Sequence, residues 1–203
     1  MTYNIWEAGH AEVFAQNNPS ICLSYEIMPP ELLLQRLTEG HLDLIISGER
    51  GDPDTTFSIL LRQLPIFVLL SQEDPLSQKS EIHLEDLSHH SILMNASTLF
   101  SCNIHHCFQA EGIEADFYPF PSHDPLTLLR TIRSIQGAYF DTKLHFLYQN
   151  LLDGLVAIPF RHEGSHPFPS WNVLATTTLT KKDSLVLQQY IHHLKENLWA
   201  ASM

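Results

Sequence analysis

Twenty residues, Pro29 to Gly48, constrain the fold more than any other stretch, because they read as a helix, a stop and a buried strand in succession. Pro30 suits the first helical position, where its missing N–H costs nothing, and Glu31 follows where the helix dipole favours an acid. Leu33, Leu34 and Leu37 recur at helical spacing, leaving Gln35, Arg36 and Glu39 for solvent. Gly40 is placed to take the left-handed conformation that ends a helix. The run Leu42 to Ile46 is too continuously apolar for a half-exposed strand and predicts one covered on both faces. With a further strand expected at Ile21–Ile27, the unit is β–α–β and the chain belongs to the α/β class with a parallel sheet.

The 203 residues suffice for one large domain or two small lobes. The formal charge of −12 comes with no Lys/Arg cluster, which argues against nucleic-acid binding by this chain. Cys22, Cys102 and Cys107 are an odd number without a stapling or metal-binding spacing. The count suits a reducing compartment, and Cys102 and Cys107, five apart, are expected to be small buried hydrophobes. The start Met1–Glu7 has no basic and apolar export pattern, and no apolar run reaches the roughly 18 residues a membrane helix needs. A cytoplasmic protein without membrane contact is expected.

In order, the pattern predicts a helix over Glu7–Asn17 and a turn-rich loop over Gly48–Asp54. That loop leaves a buried strand, and ligands of open parallel sheets sit outside strand carboxyl ends. Strands follow at Thr56–Leu61 and Ile66–Leu70, a short helical turn at Ile82–Leu87 and a strand at Ile92–Met94. A helix is expected over Leu99–Glu111, capped by Ser97 or Thr98 and ended by Gly112, then a strand at Ala115–Phe120. Ser122-His123-Asp124-Pro125 opens a helix carrying Leu126, Leu128, Leu129, Ile132 and Ile135, which Gly137 closes. The strand Ala138–Phe140, a helix Lys143–Leu152, an edge strand Leu155–Phe160 and a linker Arg161–Pro169 follow. The strand Trp171–Thr176 and a helix capped by Asp183 and running to about Leu198 complete the chain. Breaks near Ser71 and at Arg161–Pro169 bracket a central α/β segment, so the outer lobe is discontinuous and a cleft between lobes is expected.

The ordered set Glu39-Gly40-His41-Leu42-Asp43-Leu44-Ile45-Ile46, Val68-Leu69-Leu70, Asp74-Pro75-Leu76, Leu84-Glu85-Asp86-Leu87 and Asp153-Gly154-Leu155-Val156 resembles the effector-binding domain of LysR-type transcriptional regulators. The resemblance implies two Rossmann-like lobes of the type II periplasmic-binding-protein kind, lobe I at 1–71 plus 170–203 and lobe II at 72–169. It implies hinge strands near Pro65–Leu70 and Trp171–Thr176, and a small-molecule effector in the cleft. It also implies a homodimer or tetramer pairing Glu7–Asn17 of one subunit with Leu126–Ile135 of another. Three departures accompany it. No helix-turn-helix is present, so DNA would be bound through a separate domain. Only Thr2–Trp6 precedes the first helix, so lobe I is expected to lack the family's first strand, as in a cropped chain or shortened reading frame. Ala138-Tyr139-Phe140-Asp141 stands where the family commonly ends the strand with proline.

Carried over by position, the effector site comprises Met28, Ser47 and Gly48 from lobe I and Ser97, Thr98, Ser122, His123 and Asp141 from lobe II. Ser97-Thr98 and Ser122-His123 lie at expected helix starts, whose free N–H groups attract carboxylate or phosphate. A small, anionic metabolite is therefore the expected effector; helix capping alone is the alternative role for Ser97 and Asp124. The adjacent pairs His89-His90, His105-His106 and His192-His193 point apart rather than chelating, and read as surface residues. His162 and His166, with Glu163 between them, form the weaker metal candidate. No Gly-x-Ser-x-Gly, Walker or Gly-x-Gly-x-x-Gly motif occurs, so neither catalysis nor a cofactor is implied. The competing readings are a free-standing solute-binding protein of the same bilobal fold and a small hydrolase-like enzyme.

Overall fold

A computed structural model describes residues 5–26, 28, 30–94, 99–120, 125–142 and 154–197. The expected helix Lys143–Leu152 and the sites Ser97, Thr98, Ser122 and His123 lie outside them. The chain divides into two compact units, one formed by Met1–Gln63 with Asn172–Met203, the other by Leu64–Trp171. The expected lobe boundaries at 71/72 and 169/170 thus differ from the division at 63/64 and 171/172, because the strand at 66–71 pairs inside the second unit.

The first unit holds α1 (Ile5–Asn17), α2 (Pro30–Thr38), β1 (Ile45–Ser47), α5 (Leu185–Asn197) and, apart from the end residues Leu64 and Trp171, β2 (Thr56–Leu64) and β8 (Trp171–Thr178). Gly40 ends α2 in the left-handed region at φ +80, and the His41 N–H returns to the Arg36 carbonyl at 2.9 Å. Leu33, Leu37 and Ile45 form its buried cluster, with Met28, Leu34 and Leu42 against it. Two expectations change here. Ile21–Glu26 forms no strand and pairs with none of the described strands. The sheet order is β1-β8-β2, with Ile45–Ser47 antiparallel to Leu174–Thr176, so the expected parallel β–α–β unit is a loop, helix and antiparallel strand. The last helix begins after Ser184, whose carbonyl accepts from the Gln188 N–H at 2.9 Å, one residue beyond the expected Asp183 cap.

The second unit carries β3 (Ile66–Ser71), β4 (Ser91–Met94), α3 (Leu99–Ala110), β5 (Asp116–Pro119), α4 (Pro125–Ile135), β6 (Ala138–Thr142) and β7 (Leu155–Pro159). Its sheet runs β5-β4-β6-β3-β7, parallel between β4, β5 and β6 and antiparallel where β3 meets β6 and β7. The alternation of strand side chains splits its core into two. Val68, Leu70, Ile92, Ala138 and Phe140 join Ile104, Cys107 and Phe108 of α3, while Leu69, Leu93 and Leu155 join Leu129 and Ile132 of α4.

Gly137 does not act as expected. The left-handed residue ending α4 is Gln136, at φ 48. Gly137 is instead a point of close approach: a Cβ there would lie 2.5 Å from Leu93 Cδ1 and 2.9 Å from Ile135 Cδ1. The cysteines also divide, since Cys107 is buried but Cys22 and Cys102 are exposed.

Candidate functional site

Asp141 and Thr142 end β6, at the carboxyl edge shared by the parallel strands β4, β5 and β6. This is where an open α/β sheet presents groups to ligands. Asp141 is buried, and its Oδ1 accepts the Thr142 N–H at 2.7 Å. Two residues back, burial and then the Asp141 carboxylate push the Tyr139 phenol up, so it stays a neutral donor at physiological pH. Thr142 is 1% exposed, yet its Oγ1 has no hydrogen-bond partner among the described residues. A buried hydroxyl left unpaired costs on the order of 1–3 kcal/mol, so a ligand able to pair with it gains accordingly. Sequence reasoning stopped at Asp141. The signal for Thr142 is its position at a strand end, which a pattern conveys only once the strand direction is known.

In the first unit, Ser47 is buried at the end of β1, and its Oγ donates to the Glu49 carbonyl at 3.0 Å. Gly48 beside it is exposed; a Cβ there would make only ordinary contact, 3.5 Å from the Asn172 carbonyl oxygen. Met28 is half-buried against the α2–β1 cluster. The loop that follows is tied to itself. The Asp54 N–H reaches Asp52 Oδ1 at 3.0 Å, Thr56 Oγ1 reaches the Asp52 carbonyl at 2.7 Å, and Gly51 leaves no room for a Cβ beside Thr56 Oγ1. Its polar groups are thus largely consumed locally.

The second unit carries two further polar arrangements that sequence spacing did not reveal. His90 Nε2 lies 3.3 Å from Asp74 Oδ2, and Asp74 is 3% exposed while also accepting the Leu76 N–H at 2.8 Å. His90 is therefore half-buried and paired rather than a surface residue. Across 55 residues, Glu111 Oε1 accepts the His166 N–H at 2.6 Å and contacts His166 Nδ1 at 3.1 Å. His162 Nε2 donates to the His166 carbonyl at 2.6 Å and lies 3.9 Å from Cys107 Sγ. The backbone hydrogen bond from His166, above all, holds the Glu111 carboxyl below its ordinary value; burial, then Glu111, push the Cys107 thiol up. A Cβ on Gly164 would fall 2.5 Å from His162 Cε1 and 2.6 Å from Glu111 Oε1, so glycine lets the loop lie against the pair. This clasp fastens the loop to α3 and forms one end of a groove of about 330 Å³ lined by Asn103, His106, Cys107, Ala110 and His166–Pro169. Among the described residues no three His, Cys, Asp or Glu side chains are grouped to hold a metal ion, and no helix is long and apolar enough to cross a membrane.

Residues 8–199 match the sequence profile of the LysR substrate binding domain. No curated protein sequence matches the chain. Among solved structures, the chain is similar to the CcmR regulatory domain of Synechocystis PCC6803 in complex with 2-PG, at TM-score 0.74 and 14% identity over 94% of this chain and 90% of that one. It is similar to a LysR family transcriptional regulator of Pseudomonas aeruginosa, at TM-score 0.77 and 18% identity over 94% of this chain and 66% of that one. It is also similar to the BenM effector binding domain with benzoate, at TM-score 0.75 and 17% identity over 95% and 85% of the two chains. The chain thus spans about two thirds of the Pseudomonas regulator and most of each isolated domain.

Proposed function

The chain belongs to the LysR substrate binding domain family, the effector-sensing part of LysR-type transcriptional regulators with its type II periplasmic-binding-protein-like fold, and from this premise we propose that its effector is a small anionic metabolite bound at the carboxyl edge of the second sheet. The observation that carries the reading is Thr142 Oγ1, a buried hydroxyl without a partner among the described residues at that edge. Thr142 donates to the ligand from the α3 side of the sheet; by the alternation along β6, Tyr139 and Asp141 are directed to the α4 side, so Asp141 is proposed as a contact only at the strand end. An anionic effector is supported by benzoate, bound to a similar domain. Ser97, Thr98, Ser122 and His123 belong to the same proposal, since they follow β4 and β5 in the chain. Met28, Ser47 and Gly48 are proposed as contacts of the first unit, with Ser47 able to exchange its Glu49 bond for one to ligand.

The function is binding rather than catalysis, exercised in the cytoplasm, and a partner domain contacts DNA. The effector acts on transcription through its different affinities for two arrangements of the assembly. A homodimer or tetramer built on α1 and α4 is supported by the exposed Val13 and Leu126 on those helices. Thermal unfolding of the chain with a panel of small carboxylates, phosphates, amino acids and amines tests the proposal. A compound at 100 times its Kd adds about 2.7 kcal/mol. One anionic class is expected to raise Tm; a cooperative transition that only amines or neutral compounds move overturns the anionic reading, and one that nothing moves overturns binding.

A further inference from the structure

Helix α4 exposes a stripe of three side chains. Leu126, Arg130 and Arg133 recur at i, i+4 and i+7 and are all exposed, while Leu129 and Ile132 on the other face are buried in the core. The two arginines stand apart from the chain's other cations. With 23 Asp and Glu against 11 Lys and Arg, carboxylates are plentiful, and Arg36, Lys79, Arg161 and Lys181 are paired with Glu26, Asp86, Glu81 and Asp43. Arg130 and Arg133 have no such partner among the described residues. Arg133 is also set in place. A Cβ on Gly154 would fall 2.9 Å from Arg133 Nη2, so the guanidinium rests against a backbone that carries no side chain.

A guanidinium presents a rigid planar fork of N–H donors matched to a carboxylate, so the surface that fits this stripe joins an acid to an apolar side chain. Helix α1 offers that surface. Its Ala11 and Phe14 are buried, and Glu12, Val13 and Gln16 are exposed on the opposite face. The Glu12 carboxylate has no partner among the described residues. Other described acids on or just after the helices are engaged: Glu196 of α5 meets His192 at 3.1 Å, Glu39 accepts from Gln35, and Glu111 accepts from His166.

We propose that Arg130 and Arg133 of one copy clamp Glu12 of a second copy, with Leu126 packed on Val13, so that charge decides which helix faces pair. The clamp rests on the self-association through α1 and α4 inferred above and adds the groups that specify it. In a closed two-fold pair the same contact forms twice. The alternatives repel: α4 on α4 gathers four guanidinium groups, and α1 on α1 sets two carboxylates face to face.

Analytical ultracentrifugation of the full chain tests the clamp. The wild-type Kd is expected to weaken by about tenfold or more between about 50 and about 300 mM salt, because exposed charge pairs are screened over that range. Arg130→Glu with Arg133→Glu, and separately Glu12→Arg, are each expected to weaken self-association by about tenfold or more, since like charges then meet at both contacts. An equimolar mixture of the two variants is expected to regain wild-type affinity as a heterodimer, because each contact again joins arginine to glutamate. All three positions are exposed, so the variants are expected to keep the wild-type circular dichroism spectrum. Self-association that survives both reversals, or a mixture no tighter than the variants alone, overturns the clamp and leaves the α1–α4 reading standing. A monomeric wild type overturns both. If a variant does not fold, the wild-type salt series decides, and a Kd indifferent to salt overturns the clamp.

Discussion

Gln136 and Gly137 are adjacent and invite the same explanation, but the structure assigns them opposite roles, and substitution separates these. Gln136 holds the left-handed turn at φ 48, which costs an L-residue about 1–2 kcal/mol. Replacing it with glycine removes that strain but loosens the unfolded chain by about 0.5–1 kcal/mol, so Gln136→Gly is expected to be neutral or to stabilise by up to about 1.5 kcal/mol. At Gly137 the limit is space. A methyl group would stand 2.5 Å from Leu93 Cδ1, where ordinary contacts lie at 3.4 Å or more, and within 3.0 Å of Ile135. Leu93 is 2% exposed and belongs to the α4-side core, so it has little room to yield about 1 Å. Overpacking of this kind costs about 1–3 kcal/mol, or about 2–12 °C in Tm for a chain of this length. Urea unfolding of both variants, with Cm and m compared, is the assay. A Gly137→Ala chain as stable as wild type, or a Gln136→Gly chain that loses more than Gly137→Ala, refutes the assignment.

Thr142→Val removes the unpaired hydroxyl at nearly constant volume. The unliganded chain is expected to be unchanged or up to about 1 kcal/mol more stable by urea unfolding, while effector affinity falls about tenfold or more. Glu111→Gln removes the charged acceptor of the clasp. In wild type that contribution is present above the ordinary carboxylate value and is lost as pH falls through the depressed folded-state value, so the His166 amide, followed by NMR, should lose protection only in acid. In Glu111→Gln that pH dependence should vanish. Phe108→Ala empties the centre of the α3-side core, where the ring meets Phe117 at 5.3 Å and Phe140 at 6.4 Å, and should cost about 3–5 kcal/mol by urea unfolding.

Elements whose apolar residues keep a period were legible in advance. Leu33, Leu34 and Leu37 with the Gly40 stop place α2, and Leu128, Leu129, Ile132 and Ile135 place the inner face of α4. Ile21–Glu26 alternates as well as any strand, but a strand exists only with a partner, and the pattern of one segment is silent about its neighbour. A glycine after a helix is equally ambiguous, because Gly40 supplies a backbone conformation and Gly137 an absence of volume. Of the candidate site, Asp141 was reachable through the family resemblance. Thr142 was not, because its interest lies in a missing hydrogen bond that only coordinates reveal. The Glu111–His166 clasp unites residues far apart in the chain, beyond any local spacing rule.

The central claim is that a small anion binds at the carboxyl edge of the second sheet. Amide chemical shifts of the isotopically labelled chain, titrated with whichever carboxylate or phosphate raises Tm, test it most directly. Saturable shifts concentrated at Asp141 and Thr142, abolished or weakened about tenfold in Thr142→Val, are the predicted result. Shifts confined to the groove between α3 and His166–Pro169, with Asp141 and Thr142 unmoved, would contradict it.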